Sequence, residues 1–188
     1  MKQLFPLIVF FLIFNCKPKH QITKSQSISK ETKFTYVNPI YTYSSNQVFQ
    51  NLFNQFEKST NKTIDSLFQV DSNQYRIVNK SNLTPQPLKE SDITSFFESI
   101  REGSVFVPEA IKLETTQDRH PVMFISISPK AEMFQGKIPL ISDSKVEIAI
   151  VKKDSLIFYD YSSSGTTLNK GFRRNLLTDL NKIYSNLN

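Results

Sequence analysis

The alternation of hydrophobic and polar positions divides the chain into three parts. Residues 4–14 are almost wholly apolar and carry no charge, whereas residues 17–33 are polar and rich in serine and lysine. From Phe34 onward, apolar residues recur with the periods of helices and strands. The pattern therefore predicts a leader over residues 1–15, a flexible tether over 16–33 and a single globular domain over 34–188.

Helical spacing of apolar residues marks three segments of the domain. The first stripe covers residues 48–56 and resumes at 64–68 after a polar break at 59–61. The second begins at Ser91 or Asp92 as a capping residue and ends at Gly103, where a left-handed terminator is expected. The third covers 172–187. We predict that these amphipathic helices pack on a core; for the first, a helix lying on a membrane is the alternative.

Strand candidates share short runs of β-branched and aromatic residues. They cover residues 34–37, 40–43, 74–78, 105–107, 122–128, 146–151 and 156–161. Residues 111–116 fit either another strand or an irregular crossing, and 130–144 fit a loop long enough to be functional. The last two strands form a predicted hairpin that a turn at 162–167 joins to the closing helix. The order predicts an α+β (or α/β) fold, a mixed sheet with about three amphipathic helices packed on it.

The leader has the layout of a secretory signal that ends at a cysteine. Lys2 precedes the apolar run, which is shorter than the roughly 20 residues needed to cross a membrane. Cys16, the single cysteine of the chain, follows Phe14 and Asn15 directly. This arrangement resembles the lipidation box of bacterial lipoproteins, and Phe14 and Asn15 resemble the looser boxes of spirochaete lipoproteins. The resemblance implies cleavage before Cys16, diacylglycerol on its thiol and often a further acyl group such as palmitate on its amine.

The alternative is a secreted protein whose cysteine is incidental. A lone cysteine favours lipidation, because an unpaired thiol has no disulfide partner in an oxidising compartment. Lys17 follows the cysteine where some bacteria use aspartate to retain lipoproteins in the inner membrane. The expected location is therefore the cell envelope, with the outer membrane favoured over the inner.

Most of the formal net charge of +6 lies outside the predicted domain. Residues 1–33 contain six lysines against one glutamate, so the domain is nearly neutral. This distribution removes the case for a nucleic-acid partner. The lysines of the tether are either solvated or in contact with anionic headgroups.

Few residues suggest chemistry. Ser162, Ser163, Ser164 and Gly165 precede the closing helix and, with Arg173, form a candidate anion-binding turn; an ordinary turn is the alternative. The domain has one histidine, His120, and no cysteine. We therefore expect no metal site and no cofactor, and assign no catalytic residue.

Together these features predict a lipid-anchored cell-envelope protein with a non-catalytic binding or adaptor domain. Its partners would be the membrane, through lipid on Cys16, and another envelope protein or ligand. Alternatives are a surface-exposed adhesin or ligand-binding lipoprotein, and a hydrolase that uses His120 with a serine. The order of hairpin, Asp160, Gly165 and closing helix loosely resembles small envelope lipoproteins of the curli-secretion and transport-auxiliary families.

Overall fold

A computed structural model describes residues 33–43, 46–70, 77–80, 89–117, 119–165, 174, 176–178 and 181. For residues 68–70, 77–80, 114 and 162–165 the description covers the backbone alone. The leader, Cys16 and Arg173 lie outside the described residues. The predicted division of the chain at residue 34 therefore stays a prediction.

A mixed six-stranded sheet forms the centre of the structure. Its strands are β1 (Phe34–Tyr36), β2 (Ile40–Tyr41), β3 (Ile77–Lys80), β4 (Val122–Phe134), β5 (Ile138–Lys152) and β6 (Ser155–Gly165). The order is β3-β1-β4-β5-β6, and β2 also pairs with β4. The pairs β1–β3, β1–β4 and β2–β4 are parallel, whereas β4, β5 and β6 are antiparallel. This mixed sheet with helices against it confirms the α+β prediction.

Helices cover both sides of the sheet. A 3₁₀ turn (Gln47–Phe49) leads into α1 (Gln50–Val70), and α2 (Glu90–Arg101) and α3 (Glu109–Gln117) follow. Residues 174, 176–178 and 181 are also helical. The predicted amphipathic helices are thus present over the described residues, with bounds that differ from the prediction.

The predicted break in the first helix is wrong. Helix α1 continues through residues 59–61 because its polar side chains have partners within the fold: Asn61 Oδ1 accepts the Tyr41 hydroxyl at 2.9 Å, and Thr60 is buried. Asp65 Oδ1, one turn further on, accepts the Tyr36 hydroxyl at 3.0 Å. Polar residues in this helix therefore attach it to β1 and β2.

The start of α2 also differs from the prediction. The helix begins at Glu90 with Lys89 as its cap, and Asp92 Oδ2 accepts the Lys89 backbone N–H at 3.3 Å. Asp92 therefore supports the helix start from inside the first turn. Gly103 has φ +79°, which confirms it as the left-handed residue after the helix.

Alternate residues of β4 and β5 face two separate cores. On the first face, Met123, Ile125, Ile127, Ile148 and Ile150 pack with Ile64 and Leu67 of α1 and with Leu176. On the second face, Phe124, Ala149 and Val151 pack with the apolar stripe of α2 and with Ile111 of α3. Full burial of each large side chain contributes about 1.5–3 kcal/mol before the entropy cost of ordering. Residues 122–128, the strongest strand candidate, are confirmed at the centre of the sheet.

The strand predicted between α2 and β4 is wrong, and neither alternative for residues 111–116, a strand or an irregular crossing, is observed. Residues 105–107 do not join the sheet, because Val105 has φ +37° and the chain turns back to the end of α2. There Ser99 binds the returning backbone: its Oγ accepts the Phe106 N–H at 2.9 Å. Residues 109–117 form α3, whose buried Ile111 and Thr115 lie one turn apart, with a hydrogen bond from Thr115 Oγ1 to Ile111 O of 2.9 Å.

The predicted loop over 130–144 is a long antiparallel hairpin. Strands β4 and β5 pair as far as Phe134 and Ile138. The chain reverses through Gln135 (φ +51°) and Gly136 (φ +68°), where the Lys137 N–H donates to Phe134 O at 3.1 Å. Two positive φ values in succession are typical of a tight hairpin turn. We call residues 131–134 and 138–141 the arm. The arm extends past the last pairing of β5 with β6, between Asp143 and Gly165.

The end of the chain shows one confirmed hairpin and one wrong turn. Strands β5 and β6 form the predicted hairpin, with Lys153 and Asp154 at its turn. Residues 162–165, predicted as part of a turn, continue β6 and pair with residues 143–146 of β5. The pairing extends because β5 begins earlier than predicted.

Candidate functional site

A cavity of about 470 Å³ opens where α2 ends above strands β5 and β6. It is lined by Ile100, Arg101, Gly103 and Val105 from the end of α2 and the following loop, and by Lys145, Tyr159 and Tyr161 from the strands. The strand residues belong to the second face because they alternate with the buried residues of the first. The cavity therefore lies just past the second core, where the helix no longer covers the sheet.

Glu147 is the buried charge beside this cavity, with 1% of its side chain exposed. Its Oε1 accepts the Tyr159 hydroxyl at 2.7 Å and Lys145 Nζ at 3.1 Å. Arg101 Nε lies 3.7 Å from the same oxygen. An isolated buried carboxylate is costly, so these contacts are what allow Glu147 to remain in the sheet.

Tyr159 holds Glu147 from the neighbouring strand. Its ring packs 6.5 Å from Phe97 and 6.4 Å from Tyr161, measured between ring centroids. Burial, and next the hydrogen bond to Glu147, raise the pKa of the Tyr159 hydroxyl far above its ordinary value of 10.0. The hydroxyl therefore stays protonated at neutral pH and remains a donor.

The two cations of the site are more exposed than the carboxylate between them. The Arg101 side chain is 41% exposed and that of Lys145 32%. Arg101 Nε also donates to Phe97 O at 3.2 Å, and Lys145 Nζ lies 5.1 Å from the centre of the Tyr161 ring. Two positive charges thus surround one negative charge, and the site has a net positive character.

The arm is a second candidate surface. Met133, Phe134 and Ile138 are large, apolar and exposed at its end. Phe134 pairs with Ile138, and Met133 with Pro139, so apolar side chains occur on both sides of the ribbon. These residues lie outside both cores.

One exposed ion pair lies at the base of the arm. Lys130 Nζ and Glu132 Oε1 are 2.7 Å apart. Their hydrogen bond, and next their opposite charges, raise the pKa of Lys130 and lower the pKa of Glu132. Glu132 therefore stays ionised at neutral pH.

The predicted site residues are only partly described. The side chains of residues 162–164 and all of Arg173 lie outside the description, so anion binding by that group stays a prediction. In the backbone, Ser163 pairs with Lys145, which lines the cavity. His120 is half-buried in the bend before β4 and does not line the cavity.

Glu147, Lys145 and Arg101 were not predicted as site residues. The available signal was an acidic residue within the apolar run of β5, two positions after Lys145. Asp160 on β6 is also buried, and its Oδ1 accepts the Tyr161 N–H at 2.9 Å.

No protein-family model matches the chain, and no curated protein does so either. Among solved structures, the PelC dodecamer from Paraburkholderia phytofirmans is 9% identical, with a TM-score of 0.39 over 89% of this chain and 95% of that chain. A neuraminyllactose-binding hemagglutinin homolog from Helicobacter pylori is 12% identical, with a TM-score of 0.34 over 86% and 85%. At these values the likeness assigns neither a family nor a function. Within the described residues, no helix combines the length and hydropathy that a membrane span requires.

Proposed function

We propose that the chain is a lipid-anchored protein of the cell envelope whose domain binds another envelope protein and does not catalyse a reaction. The anchor rests on the apolar leader, on Cys16 directly after it and on the polar tether that follows. Two acyl chains on one cysteine would hold the protein stably, since a single chain binds a membrane only marginally. Lys17 favours the outer membrane.

The observation that carries the binding function is the arm. An isolated two-stranded ribbon is at best marginally stable in water, and this one exposes Met133, Phe134 and Ile138. Aromatic residues and methionine are enriched where proteins meet, and exposed apolar groups often mark such sites. A partner that covers the arm would bury these side chains and hold the ribbon in place.

The ion pair at the base of the arm favours a protein partner over insertion into lipid. Glu132 is two positions before Phe134 in the same strand, so both side chains lie on the same side of the ribbon. The ion pair with Lys130 lowers the pKa of Glu132 and keeps it ionised. Moving a carboxylate into hydrocarbon costs about 2.5–3.5 kcal/mol on insertion scales. A protein groove with an apolar floor and a polar rim accommodates both kinds of group.

The groups around the cavity favour binding over proton transfer. A general acid or base works best with a pKa near the working pH. Tyr159 has its pKa raised far from neutrality, so its hydroxyl stays a neutral hydrogen-bond donor. That hydroxyl, Lys145 and Arg101 all contact Glu147 Oε1, an arrangement that holds the side chains in place for binding.

The anchor is tested by comparing the wild-type chain with Cys16→Ser after expression in a lipoprotein-processing bacterium. Intact-mass spectrometry should show an acyl mass on the wild type that the variant lacks. Detergent-phase partitioning should be lost in parallel. A wild-type mass that matches the unmodified polypeptide, or equal partitioning of the two proteins, would contradict the anchor.

The arm is tested with a photo-reactive phenylalanine analogue at position 134 and, as a matched control, at Val48, which is also exposed and apolar but lies before α1. Illumination of cells should yield one reproducible protein adduct from position 134 and none from position 48. Ile138→Ser should reduce that adduct because it removes the cross-strand neighbour of Phe134. Lipid adducts from position 134, or the same proteins from both positions, would count against a protein partner.

A further inference from the structure

We propose that the cavity at the end of α2 binds a small organic anion, a carboxylate or phosphate group on an aromatic or apolar body. Arg101 and Lys145 would hold the anionic group, and Ile100, Val105 and Tyr161 would contact the body. Glu147 would act as the fixed counter-charge that positions both cations. This inference depends neither on the lipid anchor nor on the arm.

The first step concerns charge. Glu147 is buried and needs one positive charge to neutralise it, but two cations lie within 4 Å of its Oε1, at 3.1 Å for Lys145 and 3.7 Å for Arg101. Both cations are more exposed than Glu147. One positive charge is therefore in excess on the solvent side of the cluster, where an anion would complete the balance.

The second step concerns donors. Within the described part of the chain, the contacts of Arg101 run through Nε, to Phe97 O and to Glu147. No contact of its two terminal amino groups occurs among the described residues. These two groups are the pair that matches a carboxylate or phosphate. Lys145 is held over the Tyr161 ring and supplies a second donor from strand β5.

The third step concerns the rest of the ligand. The volume of about 470 Å³ lies within the range of roughly 300–1,000 Å³ that small-molecule sites occupy. Ile100, Val105 and the Tyr161 ring give the cavity apolar surface, so an inorganic ion alone would leave most of the cavity empty. The combination fits a compact molecule with one anionic end.

The experiment measures binding to the chain from residue 16 with Cys16→Ser, which removes the lipid as a variable. The probes are benzoate, phenyl phosphate, inorganic phosphate and benzyl alcohol. Their binding is measured by titration calorimetry and by chemical-shift changes of the Tyr161 and Gly103 amides. Benzoate or phenyl phosphate should bind at least tenfold more tightly than benzyl alcohol, about 1.4 kcal/mol. The stronger of the two identifies the anionic group, and weaker binding of inorganic phosphate supports the apolar body.

Arg101→Gln and Lys145→Gln should each weaken binding about tenfold, whereas Lys152→Gln, at the exposed end of the same strand, should not change it. Added sodium chloride should weaken binding to the unsubstituted cavity, a test that needs no variant and so survives if a substitution prevents folding. Equal binding of benzyl alcohol and benzoate, no binding of either anion, or equal affinity in all three lysine and arginine variants would overturn the proposal.

Discussion

Strand β5 has two faces that differ sharply along the same few residues. On the first face, Val146, Ile148 and Ile150 remain apolar and buried along the strand. On the second face, Ala149 and Val151 are buried beneath α2, but Glu147 and Lys145, further along, are charged. The change occurs where α2 ends at Arg101. A polar site has formed where a covering helix is shorter than the strands beneath it.

The arm extends this comparison to a third region. Its residues are apolar like those of the first face, but within the described structure they lie outside both cores. The first face is therefore apolar and covered, the second becomes polar where its cover ends, and the arm is apolar and exposed. Stability, ligand binding and partner binding should respond differently to substitutions in these three regions.

The largest effect is expected on the first face, from Ile148→Ala. This side chain is fully buried between the sheet and α1, so its truncation should reduce the free energy of unfolding by about 2–5 kcal/mol. Denaturant unfolding followed by circular dichroism gives the value. Lys152→Ala, exposed on the same strand, should change it by less than about 0.5 kcal/mol. A cost for Ile148→Ala no larger than that control would show that the first face is not the main core.

An intermediate effect is expected on the second face, from Tyr159→Phe. The substitution keeps the ring but removes the hydroxyl that donates to the buried Glu147 at 2.7 Å. Hydrogen bonds to charged groups contribute about 1.5–3 kcal/mol, so the variant should lose stability of that order at pH 7. Tyr161→Phe is the matched control, because Tyr161 lies two positions further along β6 and is less buried.

The same variant should change the response to alkaline pH. The folded-state pKa of Tyr159 is raised above the ordinary value of 10.0, so the unfolded chain loses this proton first. Its stabilising contribution is complete below pH 10 and is lost as the pH rises towards the folded-state pKa. The slope for one such proton is about 1.4 kcal/mol per pH unit. Above pH 10 the stability of Tyr159→Phe should therefore fall less steeply than that of the wild type; parallel curves would show that the hydroxyl is not protected.

The local pattern of apolar and polar residues was sufficient to predict the helices and strands whose buried residues recur at regular spacing. The core strand at 122–128, the β5–β6 hairpin and the body of α2 were predicted for this reason. The arm was not predicted, because Gly136 and Pro139 within a sparsely apolar segment are typical of a loop. Its pairing depends on two successive positive φ values, one of them at Gln135, which the sequence does not reveal.

The cavity was not predicted for a different reason. Arg101 and Glu147 are 46 positions apart in the sequence, and their approach depends on where α2 ends over the sheet. Helix α3 escaped prediction because its nine residues bury few side chains and carry only a weak amphipathic pattern. The sequence therefore predicted most individual helices and strands, but it did not predict how they pack against one another.

The smallest effect is expected at the mouth of the cavity, from Gly103→Ala. No atom lies within 4 Å of the position that the added Cβ would occupy, so there is space for it. The cost comes from the backbone, because φ +79° is a conformation that costs an L-residue about 1–2 kcal/mol. We expect a loss of about 1 kcal/mol in unfolding free energy. Glu102→Ala, in helical conformation one residue earlier, is the control and should be nearly neutral.

Gly103→Ala also separates backbone geometry from ligand contact. If the loop keeps its shape, benzoate affinity should stay within about threefold of the wild type, since the glycine contributes no charge to the cavity. If the loop instead relaxes to negative φ, Val105 and Arg101 would move with it, and affinity should fall with stability. A fall in affinity without any loss of stability would fit neither result and would place Gly103 in direct contact with the ligand.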